Sequence, residues 1–85
     1  MNELVRILYD HAYEHRMPYY LDDESQYRES SIMIDRQYKD LQKMLTADGQ
    51  QRLEDYAGEK SVLHDLELEA IFRAGISIGL ELSRL

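Results

Sequence analysis

The 85-residue chain has no cysteine and no tryptophan. Without thiols there can be no disulfide, thiolate metal site or cysteine nucleophile. One proline and four glycines supply too few turn signals for a many-stranded β protein. No apolar run approaches the roughly 20 residues that cross a bilayer, so no membrane role is expected. The first residues, MNELVRIL, lack the basic flank and small-residue cleavage site of a secretory signal, and the expectation is a cytoplasmic protein. Basic residues are scarce: ten stand against seventeen acidic ones, a net charge of −7. That balance argues against unaided binding to nucleic-acid phosphates. Also missing are a glycine-rich phosphate loop, a Gly-x-Ser-x-Gly elbow and a carboxylate-rich calcium loop, and the expectation is a non-enzyme without cofactors.

What is present is helical periodicity. We expect a single all-α domain over 1–85, an antiparallel helical hairpin plus an N-terminal helix, forming a three-helix bundle. Asn2 is a natural N-cap and Glu3 complements the helix dipole. Leu4, Ile7, Leu8, His11, Ala12 and His15 follow at helical spacing, and Pro18 should end the segment by restricting the residue before it. The first helix is therefore placed near 3–16, and residues 17–24 are read as a connector in which Asp22 or Asp23 caps the next helix. The second helix, about 24–45, carries the seam Tyr27, Ser31, Ile34, Tyr38, Leu41 and Leu45, whose alternating steps of four and three are those of a coiled coil. Thr46 to Gly49 is a short break with Thr46 as the next cap, and so short a connection favours antiparallel neighbours. The third helix runs from about 49 to 82. Gly58 is its one weak point, and continuity through it is expected. At about 1.5 Å per residue this helix is much longer than the second, so something else must cover part of it.

The end of the third helix is its most apolar part. Leu68, Ile71, Phe72, Gly75, Ile78, Gly79 and Leu82 span about 120° of the helix circumference, and Ile76 with Leu80 widen the arc to about 200°. A helix covered by one neighbour shows a stripe only somewhat wider than about 100°. Two neighbours are required, the first helix and a second copy of the chain being the obvious ones. Gly75 and Gly79, four residues apart, make a flat groove that another backbone can enter. Either a helix of the same chain fills it or a second copy does. Insertion into lipid would have to carry Glu67, Glu69, Arg73, Glu81 and Arg84 with it.

The run Phe72-Arg-Ala-Gly75-Ile-Ser-Ile-Gly79-Leu-Glu-Leu82 resembles the carboxyl-terminal F-x-x-G-x-x-x-G-x-x-L signature of a family of small, all-helical, uncharacterised Firmicutes proteins, a domain of unknown function. The resemblance extends to Leu8-Tyr9, Pro18, Tyr27, Leu53-Glu-Asp-Tyr56, Leu63 and Glu69, nearly the whole chain. Ile76 stands where the family usually has an aromatic residue. The resemblance implies a helical bacterial protein, often from gut clostridia and sometimes near mobile elements, and carries no catalytic residues with it.

Three further patterns carry candidate chemistry. His11-Ala-Tyr-Glu14-His15 matches the H-x-x-E-H pattern of inverted zinc peptidases. Histidines four apart share a helix face and could grip one metal, with His64 or Glu67 as a third ligand. Eighty-five residues cannot build the surrounding catalytic domain, and a solvated or interfacial pair is the simpler reading. Ser31-Ile-Met-Ile-Asp35 resembles the S-x-x-x-D stretch of helical-hairpin phosphatases acting on phosphorylated response regulators, but Ile, Met and Ile replace the intervening residues and Ser31 falls on the apolar seam. Among seven tyrosines, Tyr19-Tyr20 in the connector is the candidate partner patch, since tyrosine suits surfaces that are part apolar and part wet. The expected function is a protein–protein interaction or regulatory module that self-associates through its third helix, with a protein partner, a homo-oligomeric state and no nucleic acid. The alternative is a helical effector using Ser31/Asp35 or a metal-binding helix using His11, Glu14 and His15.

Overall fold

The computed structural model describes residues 2–85, and these are all-α, with no strand among them. The elements are α1 (Glu3–His11), a π-helical turn (Ala12–Arg16), α2 (Met17–Leu21), α3 (Ser25–Met44) and α4 (Ala47–Leu82). No helix is long and apolar enough to cross a membrane among the described residues.

Asn2 caps α1 as its side chain implied: the Val5 N–H donates to Asn2 Oδ1 at 2.8 Å. Pro18 does not end the first helix. The backbone stays helical from Glu3 to Leu21, because the π turn intervenes and the Met17 N–H donates to the Ala12 carbonyl. Pro18 then falls in the first turn of α2, where a missing N–H costs nothing and a fixed φ is already suitable. Tyr19 and Tyr20 thus lie on a helix and not in a connector. The true break is shorter, Asp22 to Glu24, and neither Asp22 nor Asp23 caps α3: its N-cap is Glu24, without a side-chain cap bond.

Leu45 and Thr46 are both extended and form the break between α3 and α4. Thr46 Oγ1 accepts from the Gly49 N–H at 3.3 Å, so α4 starts two residues before the expected position. The break is drawn tight by Gln50, whose Nε2 donates to the Gln42 carbonyl at 2.7 Å. A Cβ on Gly49 would sit 3.2 Å from Leu45 Cβ, a tight contact that would push Leu45 back by a few tenths of an ångström. From there α4 runs unbroken through Gly58 for 36 residues, about 54 Å at the standard rise, close to the 57 Å long axis of the molecule.

Two short elements share this long helix. Gln42, Leu45, Gly49, Leu53 and Ala57 are half-buried, which marks the meeting of α3 with the start of α4. Along the seam expected on α3 only Tyr38 and Leu45 are half-buried; Leu41 is exposed, and beyond Tyr38 so are Ile34, at 66%, Ser31 and Tyr27. The closest backbone approach between segments distant in sequence is that of α1 to α4. There Asn2 and Val5 line a cleft with Ile76 and Leu80, while Tyr13 and Met17 line another with Leu68, so α1 runs antiparallel to α4.

The face α1 uses is not the expected one. Val5, Tyr9, Ala12 and Met17 are half-buried, while Leu4, Ile7 and Leu8 face solvent. The helix carries two apolar stripes, and the one that holds Tyr9, which meets Phe72, docks. No described residue is fully buried. The radius of gyration is 17.4 Å, against about 12 Å for a compact chain of this length.

Candidate functional site

The C-terminal half of α4 is divided lengthwise. One side, Leu68, Phe72 and Ile76, is half-buried under α1. Tyr9 holds it in an edge-to-face contact with Phe72, ring centroids 5.5 Å apart, a geometry that favours the positive ring edge over the negative face. Above this contact Arg6 bonds Glu69 Oε1 at 2.9 Å and lies 5.7 Å over the Tyr9 ring. Beside the half-buried side lie Ile71, which borders the cleft of Tyr9, Ala12, Tyr13 and Met17, and then Gly75, Ile78, Gly79 and Leu82. Ile71 is 68% exposed and Leu82 62%. Among the described residues, a Cβ built on Gly75 or Gly79 would meet nothing within 4 Å. No helix of the same chain fills the glycine groove. Leu80, on the far edge of the arc, is also exposed.

The Arg6–Glu69–Tyr9 cluster was not singled out in the sequence. Its signal was faint: charged residues one turn from aromatic ones on both helices, Arg6 before Tyr9 and Glu69 before Phe72. Its electrostatics are readable in Tyr9, whose hydroxyl is raised above the ordinary 10.0 by burial first and then by the Glu69 and Asp65 carboxylates, against an opposing pull from Arg6. A raised folded-state value means that the fold retains the proton longer than the unfolded chain does. The stabilisation is fully present below pH 10.0 and is lost as pH rises through the higher folded value. Chemical denaturation of the wild type and of Tyr9→Phe between neutral pH and pH 11 tests this. The wild type should lose more stability than the variant on the alkaline side, and parallel curves would remove Tyr9 as the cause.

The other candidate residues stand apart from one another. The His11 and His15 rings lie 5.1 Å apart and His15 Nε2 is 3.9 Å from Glu14 Oε2, all on the exposed side of the first helix. Neither His64 nor Glu67 joins them: among the described residues no group of three His, Cys, Asp or Glu is placed to hold a metal ion. Ser31 is exposed and not held in a seam. Asp35, one turn on, pairs with Lys39 at 2.9 Å in an exposed bridge along the same helix, the kind worth a few tenths of a kcal/mol. Tyr19 and Tyr20 are exposed, with their rings edge to face at 5.3 Å.

With this geometry in hand, the chain can be placed among known proteins. It matches over residues 1–83 the model of a family of unknown function (DUF6809), and it belongs to that family. No curated protein and no solved structure matches it.

Proposed function

We propose that the chain is a protein–protein interaction module, acting by binding and not by catalysis, that self-associates through α4. The observation that carries this reading is the open face around Gly75 and Gly79, flanked by the exposed side chains of Ile71, Ile78 and Leu82. In water such an apolar face gains about 25 cal/mol for each Å² it loses to a partner, and glycines four apart let that partner come close. The same reading takes α3 and α4 as an antiparallel hairpin, with the N-terminal helix beside the distal half of α4. The two-residue break at Leu45 and Thr46 supports that arrangement.

The test is Gly75→Leu, read by analytical ultracentrifugation and thermal melting. Its Cβ meets no described residue of a single chain, but the side chain closes the groove to a second. The wild type should sediment as an oligomer and the variant as a lighter species. Identical solution masses and melting temperatures for the two would show that the groove is not an interface.

A further inference from the structure

We infer that the occupant of the open α4 face is α3 of a second copy of this chain, and that the contact is made twice in a two-fold dimer whose assembly is coupled to folding. The inference rests on the self-association proposed above and names the partner element.

Area is the first argument. The single chain exposes 7575 Å², whereas a compact folded chain of 10.1 kDa exposes about 5,300 Å². The surplus, about 2,300 Å² per chain, is what an obligate dimer buries on each partner. A surface that must be covered whenever the chain is folded needs a partner that is always present, and a second copy satisfies that condition.

Spacing and size select α3. Its seam steps by four and three through Tyr27, Ser31, Ile34, Tyr38 and Leu41, and the open α4 face steps by four, three and four through Ile71, Gly75, Ile78 and Leu82. Two seams of that period pack knobs into holes. The sizes are complementary: α3 offers tyrosine and isoleucine knobs, and α4 offers glycine holes. Within one chain the two do not meet. The α3 seam opens beyond Tyr38, where Ile34 and Tyr27 are exposed, and no described residue comes within 4 Å of a Cβ built on Gly75 or Gly79. A two-fold axis lets each chain give its α3 and its α4 face to the other, the self-complementary closure typical of dimers.

The natural absence of cysteine makes the test clean. Ile34→Cys and Ile78→Cys are prepared as separate full-length chains, both at positions exposed in the single chain, and treated with a short bis-maleimide singly and mixed. The inference expects a covalent dimer in the mixture and little in either variant alone. Cross-linking of the Ile78→Cys chain with itself would overturn the α3 assignment while upholding self-association through α4. Cross-linking confined to the Ile34→Cys chain would overturn both readings. As an independent readout, the wild-type melting midpoint should climb by about 5–10 °C over a roughly hundredfold rise in chain concentration. A concentration-independent midpoint with a one-chain mass and no cross-link would overturn the dimer and leave both faces to a foreign partner.

Discussion

Phe72→Ala should detach the N-terminal helix from α4 and cost about 2–3 kcal/mol, roughly half the loss seen when a fully buried aromatic residue is truncated, plus the aromatic pair itself. Phe72 is the half-buried residue against which Tyr9 sets its ring edge. The rest of the attachment is thin: Val5, Ala12 and Met17 contribute only half-buried area, and the Arg6–Glu69 bridge is partly exposed, which limits it to about 1 kcal/mol or less. Once released, the segment from Glu3 to Leu21 would not keep its helix, being short, interrupted by a π turn and a proline, and near the length at which isolated helices are marginal. Native-state hydrogen exchange separates the two halves of the molecule. Amides of residues 3–21 should lose protection in Phe72→Ala, while those around the Leu45–Thr46 break keep theirs. Unchanged protection in the first helix would show that Phe72 does not hold it.

Substituting three of the four glycines of α4 should give effects of opposite sign. Gly58, Gly75 and Gly79 all have open space where a Cβ would stand. Helix propensity alone predicts that replacing any of them with alanine or leucine stabilises α4 by about 0.8–1 kcal/mol. At Gly58 that gain should be seen, as a rise in melting temperature for Gly58→Ala. At Gly75 and Gly79 the leucine variants should instead lose stability, because a filled groove costs the oligomer more than the helix gains. Equal stabilisation at all three positions would describe a helix whose distal face meets only water.

The helices themselves could be read locally. Asn2 and Thr46 cap where a short polar side chain precedes a helical pattern, and Leu45–Thr46 breaks the chain where periodicity lapses. These features depend on neighbours three or four residues away, which the sequence lists in order. The breadth of the apolar arc on α4 was equally legible, since it follows from counting at 100° per residue. The exposed histidine pair and the exposed tyrosine pair were visible as patterns, but their surroundings were not.

What could not be read is which stripe meets which. The first helix has an aliphatic stripe at Leu4, Ile7 and Leu8 and an aromatic one at Val5, Tyr9 and Met17, and periodicity gives them similar standing. The choice fell to Tyr9, because Phe72 sits opposite it and an edge-to-face pair adds to the area both lose. Pro18 is similar. Its local rule says stop, but the π turn before it restarts the helix, and the continued rod brings Met17 to Leu68. The sequence by itself determined where most of this chain is helical, Met17 to Leu21 excepted, because capping and propensity act within a turn or two. Only the tertiary structure decided that α1 takes one side of α4 and leaves the glycine side bare, because pairing depends on contacts between segments some sixty residues apart, such as Arg6 with Glu69.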